Sequence, residues 1–104
     1  MKQLIFNQYV EKISDTFNVT KEEMFEKNKK RNVVESRYML YYMCFNRPMK
    51  IERIKEYMAS GGYMISHRTI IYGIDQIQER SKFDIDYMDV VKELTKEFKL
   101  CSMV

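Results

Sequence analysis

The stretch IERIKEYMASGGYMISHRTIIYGIDQI, residues 51–77, decides the fold that the sequence predicts. Apolar residues recur at helical spacing in its first part and again in its last part. These residues are Ile51, Ile54, Tyr57 and Met58, then Ile70, Ile74 and Ile77 with Ile71 beside them. Between the two parts, Gly61 and Gly62 permit a positive φ angle and mark a turn. We therefore predict a helix over about 50–59, a glycine turn, and a helix from the N-cap residue Ser66 to about Arg80.

Upstream of this stretch the sequence predicts three further helices. An amphipathic helix over about 3–17 ends at Asn18-Val19, and its apolar residues are Leu4, Ile5, Tyr9, Ile13 and Phe17. Thr20 and Glu23 have the spacing of a capping box and open a short helix with Met24 and Phe25 inward. A helix over about 33–45 is apolar almost all round, which is typical of a central helix, and Pro48 follows it.

Downstream, Asp84 is placed to cap a last helix over about 84–99. Its apolar stripe comprises Ile85, Met88, Val91, Leu94 and Phe98, and it either docks on the domain or pairs with a second subunit. The chain has only three Gly and one Pro, which favours helices over short strands. We predict an all-α protein of 104 residues with one domain and about six helices, its core formed by residues 3–80.

Composition argues against several function classes. No apolar stretch is long enough to span a membrane. Cys44 and Cys101 match no ligand spacing and no signal peptide precedes them, so we expect reduced thiols in a cytoplasmic protein without a metal or cofactor. His67, the single histidine, has no nearby Cys or Ser in a nucleophile-type context, and there is no glycine-rich phosphate loop. We therefore expect no enzymatic activity.

Charge is distributed unevenly along the chain. Between Lys27 and Arg68 there are ten basic and three acidic residues, a net charge of +7, so the flanks together carry −4 within a total of +3. Such asymmetry indicates a polyanionic partner or a solvated surface of uneven charge. The tyrosines at 38, 41 and 42 offer a stacking surface for single strands, but their place on the most apolar helix favours core packing.

Helix, glycine turn and helix together form the pattern of a helix-turn-helix, in which the second helix enters the major groove of DNA. The candidate contacts at its N-terminal tip are Ser66, His67, Arg68 and Thr69, with Tyr72 one turn on. Arg68 is able to grip guanine through two hydrogen bonds, and Thr69 offers a hydroxyl and a methyl group. Asp75 and Glu79 on the same face would repel phosphate, so we expect the helix to approach tip first. For Ser66 and Thr69, helix capping is the alternative role.

A second candidate contact is the basic segment of residues 27–31. Its cations suit phosphate, and an arginine suits a narrow minor groove. The candidate residues are Lys27, Lys29, Lys30 and Arg31, to which we add Arg37 and Lys50 from the same basic middle of the chain. The alternative is a solvated loop.

In combination, these parts resemble the C-terminal DNA-binding domain of the bacterial replication initiator DnaA. The motifs are residues 19–25, 29–37, 61–62 and 66–70, and the resemblance covers about residues 3–80. It implies a Trp-repressor-like helix-turn-helix that binds double-stranded DNA at short A·T-containing origin boxes. It also implies major-groove roles for His67 and Thr69, a minor-groove role for Arg31, and a match of Arg37 to a family arginine near the start of the long helix.

The chain departs from the family at the tip and in length. Ser66 replaces an Asp, Arg68 replaces the first Thr, and Tyr63-Met64-Ile65 replaces a single Arg, so we expect a different sequence preference. The ATPase domain of the initiators has no counterpart in these 104 residues. We predict a sequence-specific, nucleoid-associated DNA-binding protein in replication or transcription control, as in a phage or mobile element. The alternative is a helical interaction module that binds a replication or host protein.

Overall fold

Six helices make up the described backbone of the computed structural model, which covers residues 2–102, with side chains described for residues 3–94. They are α1 (Lys2–Phe17), α2 (Lys21–Met24), α3 (Arg31–Phe45), α4 (Ile51–Ser60), α5 (His67–Phe83) and α6 (Ile85–Ser102). No strand occurs in residues 2–102. The predicted all-α fold is confirmed. None of the helices in this described part has the length and apolarity needed to cross a membrane.

Local capping signals set the helix starts as predicted. Asn18 has a φ of 55°, which ends α1, and Thr20 begins α2 with both hydrogen bonds of a capping box. The Thr20 backbone N–H donates to Glu23 Oε1 at 2.9 Å, and this hydrogen bond lowers the pKa of the Glu23 carboxyl. Asp84 Oδ1 accepts the Tyr87 backbone N–H at 3.1 Å and caps α6. The end of α1 and these two N-caps were predictable from residue type and spacing.

Three boundaries differ from the prediction by two residues or more, and one is the end of α6, which reaches Ser102 instead of about residue 99. Helix α3 begins at Arg31, two residues before Val33, because Asn28 Oδ1 accepts the Lys30 backbone N–H at 2.9 Å and turns the chain into the helix early. Arg31 therefore lies on the first turn of α3 and not in the loop. Helix α5 continues past Arg80 to Phe83, and it stops where Asp84 is extended.

Helix α3 is central, because it contacts α1, α2, α4 and α5. Helices α3 and α5 approach closely at Gly73 of α5, where a Cβ atom would lie 2.6 Å from Cδ1 of Tyr38 and 3.0 Å from Cδ2 of Tyr41. Only a glycine admits α5 to this depth. Tyr41 is fully buried in the core, and burial raises the pKa of its hydroxyl, while Tyr38 and Tyr42 are half-buried. Core packing is thus confirmed for Tyr41.

Helix α6 packs against α5 and buries Tyr87, Val91 and Leu94. Phe98 and Cys101, placed by the sequence on or near this helix, have side chains outside the described residues. Two predicted inward residues are wrong: Leu4 and Ile85 are 59% and 74% exposed, and Ile71, predicted beside the inward stripe of α5, is 45% exposed. Leu4 and Ile85 lie on the first turns of their helices, before the helices reach their packing partners, and Ile71 lies beside the buried stripe of α5.

Candidate nucleic-acid interface

The N-terminal tip of α5 is set by Ser66. Its Oγ accepts the Thr69 backbone N–H at 3.3 Å and lies 3.2 Å from Thr69 Oγ1. Both hydroxyls are therefore used in helix capping, which was the alternative role predicted for Ser66 and Thr69. His67 and Arg68 are exposed, and neither forms an ion pair with any residue of the described part. The tip thus presents two side chains that are free to bind a ligand, at the positive end of a helix dipole.

The residues predicted to lie on the outward face of α5 are exposed in the structure. Arg68, Tyr72, Asp75, Gln76 and Glu79 are all exposed. Tyr72 packs edge-on against Tyr38, with ring centroids 5.9 Å apart, and keeps 55% of its surface exposed. This contact sets the position of the Tyr72 ring while leaving its outer edge accessible. The acidic residues occupy only the half of the face farther from the tip, which agrees with an approach to a polyanion tip first.

The basic segment is exposed along its length. Lys27, Lys29 and Lys30 form no ion pair within the described residues, and Arg31 pairs with Glu35 one turn along α3 at 3.3 Å. The Arg31 side chain is 86% exposed, so solvent screens this pair. Four cationic side chains therefore project from one short stretch of chain, and carboxylates of the described residues neutralise little of their charge.

A groove joins the basic segment to α5. It has a volume of about 780 Å³, and its lining includes Lys29, Arg31, Gln76 and Glu79. The basic segment thus lies beside the half of α5 farther from the tip. With a helical rise of about 1.5 Å per residue, Gln76 and Glu79 of this lining lie roughly 14–18 Å from His67 along the axis of α5. Half a turn of DNA, the step from a major groove to the adjacent minor groove, is about 17 Å.

Lys50 lies apart from this surface. It is the exposed N-cap residue of α4, at the end of that helix opposite the glycine turn. The helix has 10 residues, so Lys50 is roughly 15 Å from the turn. Lys50 therefore lies one helix length from the glycine turn that leads to the tip of α5.

Arg37 differs from every other predicted contact, because it is buried with 5% of its surface exposed. Its Nε donates to the Met24 carbonyl at 2.8 Å, its Nη1 to that of Asn28 at 3.0 Å, and its Nη2 to those of Glu23 (3.1 Å) and Glu26. Four of the five donors of a guanidinium are thereby used. We therefore replace the predicted DNA contact of Arg37 with a structural role.

A sequence signal for this burial exists but is indirect. Arg37 is spaced four residues after Val33 and three and four residues before Leu40 and Tyr41, all fully buried on the same helix face. An arginine between such neighbours has to bury its side chain or distort the helix. The sequence alone does not reveal the carbonyl groups that receive it, because they belong to a different segment.

Other chemistry finds little support in the described part of the chain. It contains no group of three or more His, Cys, Asp or Glu residues placed to hold a metal ion. Burial raises the pKa of the Cys44 thiol, which makes it a poor nucleophile at neutral pH. No protein-family model matches the chain, so the resemblance to DnaA rests on its motifs alone.

Proposed function

We propose that the protein binds double-stranded DNA sequence-specifically and acts in replication or transcription control, without catalysis of its own. The observation that carries this proposal is the placement of unpaired cations. His67 and Arg68 at the tip, and Lys27, Lys29 and Lys30 of the basic segment, form no ion pair within the described residues. In this proposal the α5 tip reads base edges in the major groove, and Arg31 enters the adjacent minor groove.

Phosphate and base contacts divide between the two regions. The lysines of the basic segment supply contacts that depend on charge and not on sequence, which sets affinity and register. Arg68 and His67 supply donors to base edges, which set specificity. Because Asp75 and Glu79 follow on the same face, the helix enters the groove by its first turn only.

Selection from a random duplex library tests the proposal directly. We expect enrichment of one short sequence and an affinity for it that falls steeply as salt rises, through counterion release. Lys29→Ala is expected to flatten the slope of log affinity against log salt by about one unit, because one phosphate contact is lost. Lys92→Ala, at an exposed lysine of α6, is the matched control and leaves the slope unchanged.

The alternative is a protein-interaction module, and one observation favours it. Phe83 and Ile85, at the junction of α5 and α6, are 84% and 74% exposed. Large exposed apolar side chains that lie close together mark contact surfaces in many proteins. This alternative gains support if the library yields no enriched sequence and a pull-down returns one replication or host protein that Phe83→Ser no longer binds.

A further inference from the structure

The Arg37 guanidinium donates hydrogen bonds to the backbone of the chain that leads into the basic segment. Its four carbonyl partners all lie between Glu23 and Asn28, at the end of α2 and in the loop that follows. The last carbonyls of a helix carry a partial negative charge and have no partner within the helix. Arg37 therefore satisfies carbonyl groups that would otherwise need water, and in doing so it sets the course of the loop.

On its other side, Arg37 contacts the turn that leads into α5. Its Cζ lies 4.5 Å from the centroid of the Tyr63 ring, a cation–π contact. Tyr63 follows Gly62, whose φ is +101°, and its backbone N–H donates to the Met58 carbonyl at 3.0 Å. The turn that holds Tyr63 is thus itself well defined. It ends three residues before Ser66 and the tip of α5.

One buried side chain therefore joins two segments that are distant in sequence. Within the described residues, no carboxylate forms an ion pair with Arg37, so carbonyl dipoles and an aromatic ring compensate its charge. An arginine is suited to this role because its planar fork donates in several directions at once, whereas a lysine presents a single rotatable ammonium group.

We infer that Arg37 is a positioning residue for DNA binding, which holds the basic segment at a set place relative to the tip of α5. The inference rests on the proposed function and deepens it. Two contacts held on a rigid body bind together without a further loss of conformational freedom, so their effects on affinity reinforce each other. A loosened loop would still attract DNA by charge. It would no longer hold the Asn28–Lys30 hydrogen bond that starts α3, so the first turn of α3 would no longer place Arg31 in the groove beside the one that the tip reads.

The first test uses the free protein and no DNA. Arg37→Lys keeps the charge but removes the fork, and Arg53→Lys makes the same change at an exposed arginine of α4 as the control. We expect backbone amide order parameters of residues 26–30 to fall from about 0.85 to below about 0.6 in Arg37→Lys and to stay high in the control. Unchanged order parameters in residues 26–30 would overturn the inference, whether or not the protein binds DNA.

The second test is a double-mutant cycle on the selected duplex. We expect Arg31→Ala to weaken binding about tenfold or more in the wild type. In the Arg37→Lys background we expect less than about a threefold loss, because the loosened loop no longer fixes the first turn of α3, on which Arg31 lies. Equal losses in both backgrounds would show that Arg37 acts on folding alone and would overturn its role in binding. If wild-type protein selects no duplex, the proposed function fails and the positioning role for DNA fails with it, whereas the order parameters still report the link itself.

Tyr63 provides a second variant pair in case Arg37→Lys does not fold. Tyr63→Phe keeps an aromatic ring over the guanidinium, and Tyr63→Leu removes it. We expect only Tyr63→Leu to loosen residues 26–30, although that segment is more than thirty residues away in sequence. Loosening confined to the turn at residues 61–65 would contradict the link.

Discussion

The two ends of α5 use their basic residues in opposite ways. At the N-terminal end, His67 and Arg68 are exposed and have no ion pair within the described residues. At the C-terminal end, Arg80 pairs with Glu35, and its Nε lies 3.9 Å from Oδ2 of Asp84. Its Cζ is 4.2 Å from the centroid of the Tyr87 ring. One end leaves its cations free for a partner, whereas the other uses them to join α3, α5 and α6.

This difference separates two kinds of basic residue that look alike in sequence. A cation that already has carboxylate or aromatic partners would have to give them up to bind phosphate. A cation without partners binds phosphate at little cost to the fold. The comparison therefore predicts that substitutions at the tip change DNA binding, and that substitutions at the far end change stability.

The largest expected effect is on base preference at the tip. Arg68→Thr restores the residue type of the DnaA-like motif and removes a bidentate donor. We expect it to lower the preference for guanine at one or two adjacent positions by about 1–3 kcal/mol, with nonspecific affinity nearly intact. Binding to a panel of single-base variants of the selected site measures this. A profile identical to that of the wild type would mean that the tip does not read bases.

Next in size is the loss of stability at the far end. Arg80→Ala removes a cation–π contact and two ion pairs, and we expect the free energy of unfolding to fall by about 1–2 kcal/mol in urea denaturation. Lys82→Ala is the control, because Lys82 and Glu79 are both more than 60% exposed. That pair is worth less than about 0.5 kcal/mol. If Arg80→Ala reduced specific DNA binding more than stability, the far end of α5 would take part in DNA binding, contrary to this prediction.

A smaller effect is expected from His67→Ala. It removes one hydrogen-bond donor from the proposed interface, so we expect specific affinity to fall by about 0.5–1.5 kcal/mol. The melting temperature should hardly move, because the side chain is exposed and forms no ion pair within the described residues. Calorimetry of the free protein and titration with the selected duplex give the two values. A marked drop in melting temperature with unchanged affinity would assign His67 to the fold.

The smallest effect on DNA binding is expected at Glu35, which pairs with both Arg31 and Arg80. Glu35→Gln releases Arg31 from a surface ion pair, so we expect DNA affinity at low salt to rise by about 0.3–0.5 kcal/mol. The gain should disappear at high salt, where the pair is already screened. Weaker DNA binding in this variant would indicate that Glu35 holds Arg31 in its binding position instead of competing for it.

Features that depend on neighbours in sequence were predictable, and features that depend on distant segments were not. The caps at Thr20, Ser66 and Asp84 follow from residue type and spacing, and all three occur. The pairing of Arg80 with Glu35 joins residues that are 45 positions apart. The burial of Arg37 likewise depends on carbonyl groups that are 9–14 positions away. The spacing of Arg37 from Val33, Leu40 and Tyr41 indicates burial, but no local pattern identifies the distant groups that these arginines bind.

Gly73 sets the rotation of α5 about its own axis. Each step of one residue turns an α-helix by about 100°. If α5 were rotated by one step in either direction, Tyr72 or Ile74 would face the two tyrosine rings of α3, where even a Cβ atom has no room. Because Gly73 has no side chain, α5 packs closely against α3 in this rotational setting and not in the two neighbouring ones. The direction in which Arg68 points therefore depends on the lack of a Cβ atom at Gly73, five residues further along α5.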